Sequence, residues 1–181
     1  IGVGSSTAVA RRLGLGDRDG ANSRASHAIA LILMISLVLT PTLLILRRPL
    51  LALMGAGDLL DEASDYLIPM FLGSSMIMLS GVIAGLLRAE NAVKRSVAVL
   101  VTGSVLNLML DPVFIFYFDM GVTGSPTATV TATAIANSVG IYWYLRKRMY
   151  VRPSLRGFRF RKDLLDDILY VGTPQTAELV F

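Results

Sequence analysis

The sequence predicts an all-α integral membrane protein, on three observations. Its apolar residues come in long blocks, basic residues crowd alternate loops between them, and one carboxylate, Asp111, lies inside an apolar run. Hydrophobic residues make up 54% and charged residues 17%, with mean hydropathy +0.62, poorer in charge than a usual soluble domain. The 181 residues would fit one soluble domain by length. Blocks of about 20 apolar residues instead match the helix length that crosses a bilayer. A net charge of +4 could suggest nucleic acid, but the cations sit in short loops, where lipid headgroups are the counter-charge. There is no cysteine, which excludes disulfides and thiolate metal sites.

Taken in order, a partial span over residues 1–10 is followed by complete spans over 27–46, 66–87, 97–118 and 124–145. A last apolar segment runs from Leu164 to Phe181. An initial Ile and an end in mid-span predict a piece of a longer polypeptide, so a missing signal peptide carries no meaning. Loop charge sets the expected orientation. Fifteen of the seventeen basic residues fall on one side: Arg11 to Arg24, then Arg88 to Arg95, then Arg146 to Lys162. Only Arg47 and Arg48 lie opposite. Basic short loops stay cytoplasmic, so residues 47–65 and 119–123 are expected outside. Tyr142, Trp143 and Tyr144 before the Arg146 cluster read as interfacial anchors.

Smaller features have structural readings. Gly81 and Gly85 have the spacing of close helix packing, and Pro41, Pro69 and Pro174 mark expected bends. His27, the only histidine, reads as an interfacial side chain at a span's start. Asp58, Asp61, Glu62 and Asp65 read as solvated acids at a helix's first turn, with a divalent-cation site as the alternative. Gly2, Gly4, Gly14 and Gly16 lack the βαβ setting of a phosphate loop.

Asp111 carries the functional argument. A carboxylate at membrane depth costs several kcal/mol unless it meets a partner, a cavity or an ion. The fourth and fifth runs are joined by a few residues and so form an antiparallel hairpin. Asp111 and Thr129 then lie at one depth, roughly 8–10 Å below the outer boundary at 1.5 Å per residue. Gly103, Asn107 and Asp111 form one small and polar stripe, and Thr129, Thr133 and Asn137 form another, expected to face the bundle interior. Pro112 lacks an N–H and leaves the Leu108 carbonyl without its helical partner. The Asn107 amide, the Leu108 carbonyl, the Asp111 carboxylate and the Thr129 hydroxyl are hard oxygen donors suited to Na⁺, or to a protonatable carboxylate with its partners. The bland alternative is that Asn107 and Asp111 only join helices.

These residues resemble a family. Asn107-Leu-Met-Leu-Asp111-Pro112, Gly121-Val-Thr-Gly124 and Ala128-Thr129-Val130 look like the fifth and sixth helices of multidrug and toxic compound extrusion (MATE) antiporters. Arg11-Arg12-Leu13-Gly14 with Gly16-Asp17, and Leu87-Arg88-Ala89-Glu90-Asn91 through Lys94-Arg95, fit after the second and fourth helices. The match covers essentially the whole chain and is closest to the archaeal and DNA-damage-inducible branch. It implies twelve helices in two six-helix lobes. Residues 1–145 would be a partial amino-terminal lobe, from the end of helix 2 through helix 6. Residues 146–163 would be a cytoplasmic inter-lobe loop, and 164–181 the start of helix 7. The family's amino-lobe cation site, with an acid from a first helix that precedes this chain, carries over to Asn107, Asp111 and Thr129. Glu178, one turn past Pro174, is a possible coupling acid of the second lobe. Pro126 departs from the family's usual pattern and bears on the backbone around Thr129.

The expected function is a cation-coupled antiporter in the cytoplasmic membrane, exporting amphipathic, often cationic, small molecules. Na⁺ or H⁺ is the coupling ion, with Na⁺ favoured by the four-oxygen set, and no other cofactor is expected. The expected partners are the lipid bilayer, drug-like substrates and the rest of the same polypeptide, with no nucleic acid. The alternatives are a lipid-linked saccharide flippase of the same superfamily, expected to carry basic residues in its cavity, and a non-transporting membrane scaffold. An enzyme is not expected, for want of a Ser–His pair, a histidine cluster or a second acid in the complete spans.

Overall fold

A computed structural model describes residues 2–146 and 149–153, and among these there is no strand. Six α-helices follow one another: α1 (Gly2–Gly14), α2 (Arg18–Leu53), α3 (Leu60–Leu72), α4 (Ser74–Ala89), α5 (Val93–Pro112) and α6 (Gly124–Leu145). The segment after Leu164, with Glu178 and Pro174, lies outside the described residues.

Local chemistry sets the helix ends. Gly16, at φ +74°, closes α1 with Gly16 N–H bonded to Leu13 O at 3.0 Å and Asp17 N–H bonded to Arg12 O at 2.9 Å. This is the left-handed cap that glycine adopts without steric cost. Asp17 then caps α2, accepting from Gly20 N–H at 2.8 Å, and holds Arg12 at 3.2 Å. Because of that cap α2 starts at Arg18, nine residues before the predicted span, and at 36 residues is about 54 Å long. His27 is therefore well inside the helix: it is 3% exposed, with Nδ1 2.7 Å from Ser23 O. His27 thus lies buried inside the helix and not, as the sequence reading had it, at its start.

Pro41 does not break α2, which runs through it. The bend falls after Pro69. Residues Gly57–Leu72 and Ser74–Ala89 meet at 48°, so the predicted 66–87 span is two helices joined at Gly73. At the break the Ser74 hydroxyl meets the Thr40 hydroxyl of α2 at 2.8 Å. A Cβ on Gly73 would fall 2.2 Å from Val130 of α6, so this glycine lets the break lie against α6. Outside it, Arg48 pairs with Asp61 at 2.8 Å and Arg47 Nε donates to Ser64 at 2.9 Å. Asp61 and Glu62 occupy the first turn of α3, where the helix dipole favours acids.

By length and hydropathy α2 and Val93–Tyr117 can cross a membrane, and the bent pair makes a third crossing if taken as one. The fourth predicted span, α6, has 22 residues but is diluted by Ser, Thr, Asn and Gly. The reason is its position: Ala128, Ala132, Ala136 and Gly140 are buried against neighbouring helices. Thr127 and Thr131 return their hydroxyls to carbonyls one turn back at 2.7 and 2.8 Å, which satisfies them without water.

α4 is the hub, with every residue from Val82 to Leu87 buried. One core joins Val82 and Leu86 to Val9, Ala21, Ala25 and Ala28, and a second joins Ile83 and Leu87 to Val99 and Ala136. Alanines recur in both cores because lipid supplies no hydrophobic drive between helices, so close approach supplies the contact energy. Gly85 shows this most sharply: its Cβ would be 2.7 Å from the Gly2 carbonyl oxygen, whereas one at Gly81 meets nothing within 4 Å. Gly85→Ala is expected to lower the melting temperature of the detergent-purified full-length protein through about 1–3 kcal/mol of overpacking, with Gly81→Ala melting higher. Equal melting of the two variants would contradict this packing.

Candidate functional site

The α5–α6 hairpin brings together the three residues predicted to meet. Asn107 and Asp111 are one turn apart on α5 and share a face. Asn107 Nδ2 donates to Asp111 Oδ1 at 3.3 Å and to Thr129 Oγ1 across the hairpin at 3.1 Å. Thr129 in turn donates its hydroxyl to Ser125 O at 3.1 Å, leaving its lone pairs to accept from Asn107. The network has one direction, from hydroxyl and amide donors to carbonyl and carboxylate acceptors. All three side chains are half-buried.

Pro126 does not disturb Thr129. It is buried in the first turn of α6, where the N–H that proline lacks has no helical acceptor in any case. Gly124 lets this turn approach the end of α5 closely, since its Cβ would lie 3.0 Å from Ile115 N.

Pro112, whose missing N–H cannot bond the Leu108 carbonyl, is the last α-helical residue of α5, and Val113–Tyr117 forms a π-turn. Phe118 N–H bonds Val113 O at 3.0 Å and Met120 N–H bonds Phe114 O at 3.1 Å. A proline disrupts the i to i−4 ladder, and the wider turn takes up the disruption. Such turns occur often at functional sites. The Leu108 side chain is 75% exposed, and the side-chain network does not include its carbonyl.

A cavity of about 220 Å³ adjoins the trio, lined by Ser80 of α4, Gly103, Ser104 and Asn107 of α5, and Thr129 and Thr133 of α6. Asp111 lies one turn beyond it toward the end of α5. Asn137, the third member of the predicted α6 stripe, faces elsewhere: it is 1% exposed and donates to Met76 O of α4 at 2.7 Å. Each step of four residues advances about 40° beyond a full turn, so two steps carry Asn137 about 80° around α6 and onto α4. Ser80 and Ser104 escaped the sequence reading. Each is one of three hydroxyl residues in its helix, so nothing in the sequence singled it out.

Among the described residues no group of three or more His, Cys, Asp or Glu could hold a metal ion. The trio is a one-carboxylate site with amide and hydroxyl neighbours, which fits a monovalent cation or a proton.

Comparison with known proteins bears on the family and the fold. The MatE family profile matches residues 1–113. The multidrug export protein MepA of Staphylococcus saprophyticus is 29% identical over 175 residues, covering 96% of this chain and 39% of that protein. A multidrug resistance MATE transporter solved facing inward is 37% identical, with TM-score 0.90 over 96% of this chain and 40% of its own. The outward-facing structure of a MATE transporter matches at 37% identity and TM-score 0.88, over 96% and 39%. The chain thus spans about two-fifths of the length of these relatives, as expected of a partial amino-terminal lobe. From profile, sequence and fold together, the chain belongs to the MatE family of multidrug and toxic compound extrusion transporters.

Proposed function

We propose that the full-length protein is a cation-coupled antiporter exporting amphipathic, cationic small molecules across the cytoplasmic membrane. The observation that carries this reading is Asn107 bridging Asp111 and Thr129 across the α5–α6 hairpin. Asp111 is the charge that a cation from outside would neutralise. Asn107 and Thr129 position it, and the π-turn after Pro112 shapes the backbone at its outer side. The adjacent cavity is smaller than the roughly 300–1,000 Å³ of drug-sized sites, so it suits an ion with a few waters. The complete spans 27–46, 66–87, 97–118 and 124–145 hold no Lys or Arg, which favours a cationic substrate over the anionic headgroup of a flippase.

A coupling ion drives the cycle only if it binds the two conformations differently. Nearly equal similarity to inward- and outward-facing relatives supports a lobe that moves largely as one body. The ion then acts on the packing between lobes. Na⁺ is the proposed ion. Asn107 presents its N–H side to Asp111, so binding Na⁺ requires that amide to turn its oxygen inward, which a rotation about χ2 provides. Localisation in the cytoplasmic membrane with basic loops inside, the inter-lobe loop at 146–163 and the role of Glu178 are parts of the same proposal.

The test uses the full-length transporter in proteoliposomes with a lipophilic cationic dye. An imposed Na⁺ gradient is expected to drive dye export. Thr129→Val, which keeps shape and deletes one oxygen, is expected to raise half-saturating Na⁺ by about tenfold or more, since a polar contact to a charge is worth about 1.5–3 kcal/mol. Export driven by H⁺ alone, indifferent to Na⁺, would overturn Na⁺ coupling. Dye left unmoved by either gradient would overturn export itself.

A further inference from the structure

Glu90 is used by nothing described so far, yet its carboxylate accepts a side-chain hydroxyl and two backbone N–H groups. It follows α4, at an end built like a socket. Asn91 adopts φ +59°, with Asn91 N–H bonded to Arg88 O and Ala92 N–H to Leu87 O, both at 2.9 Å. Asparagine tolerates this left-handed position, and the turn leaves Glu90 beside the chain that follows α6. One carboxylate oxygen, Oε1, accepts from the Tyr144 hydroxyl at 3.0 Å. The other accepts the backbone N–H groups of Tyr150 and of Val151, the latter at 3.1 Å.

The same short segment is held at further points. Arg152 N–H donates to Asn22 Oδ1 of α2 at 2.7 Å, and the Arg18 guanidinium stacks 3.7 Å over the Tyr150 ring. Met149 and Val151 are 7% and 0% exposed. Val151 enters the core of α1, α2 and α4, and Met149 enters that of α4, α5 and α6. Two apolar plugs and a carboxylate taking three donors are more than a passing loop needs.

We infer that Glu90 is a positioning residue that fastens residues 149–152 to the amino-terminal lobe, so that this segment moves as part of that lobe. Movement of the lobe rests on the two-lobe reading above; the fastening itself does not. Backbone N–H groups are fixed donors, so the contact ties the course of the chain to Glu90 whatever side chains the segment carries. The segment then travels with α2 and α4 when the lobe rocks.

The test is the rate at which a maleimide labels Val151→Cys in the full-length transporter, in membranes open to the cytoplasmic face. Labelling is expected to be slow in the parent and at least ten times faster with Glu90→Ala. Glu90→Gln keeps one acceptor oxygen and is expected between them. Leu15→Cys, on the exposed loop after α1, is expected to label at one rate in every background. Equal rates at Val151→Cys with and without Glu90 would overturn the inference. Should Glu90→Ala fail to accumulate, Tyr144→Phe and Asn22→Ala each delete one contact and are expected to speed labelling; no change in either overturns it equally. Labelling is read without gradient or drug, so a protein that exports nothing would still give the result, and the two readings fail separately.

Discussion

Asp111→Asn in the full-length transporter is expected to reduce cation-driven export by at least about a hundredfold while protein in the membrane stays near the parental amount. The side chain keeps its shape, and its carbonyl oxygen still accepts from Asn107 Nδ2, now at 3.3 Å. The fold therefore has little reason to change. What disappears is the charge. At an effective dielectric near 20, unit charges about 4 Å apart attract by about 4 kcal/mol, nearly three powers of ten in affinity. Without that attraction the cation cannot favour one conformation over the other, and a ligand bound equally by both shifts nothing. Export at the parental rate, with the gradient dependence intact, would remove Asp111 from the mechanism.

How far the sequence alone reaches is clear at particular residues. The meeting of Asn107, Asp111 and Thr129 was legible because two rules combine: short connections make antiparallel hairpins, and helical rise converts residue number into depth. Both hold regardless of side-chain packing. Asn137 faces the bundle interior as expected, but against α4 and not beside the trio, because the four-residue row drifts around the helix with distance from Thr129. The 66–87 span hid its break, since apolar composition says nothing of direction and only Pro69 hinted at the 48° bend. His27 was misplaced because the start of α2 depends on the Asp17 cap, a local polar contact beyond the apolar block. The π-turn after Pro112 was the least legible feature. A proline announces a disrupted ladder, but whether the chain kinks, ends or widens depends on what packs there, here the first turn of α6 at Gly124. The long-range capture of residues 149–152 by Glu90 left no pattern in the sequence at all, because a single acid in a basic loop looks like any other solvated charge.

The most direct test of the central claim dispenses with drug and transport and reads the cation alone. When Na⁺ is raised abruptly over full-length transporter on a solid-supported membrane, its binding at membrane depth moves charge and gives a transient current. The site at Asp111 predicts a saturable transient in the parent, shifted to higher Na⁺ in Thr129→Val. It predicts none in Asp111→Asn, whose side chain offers no negative charge to draw the ion in. A transient of the same size and Na⁺ dependence in Asp111→Asn would contradict the claim.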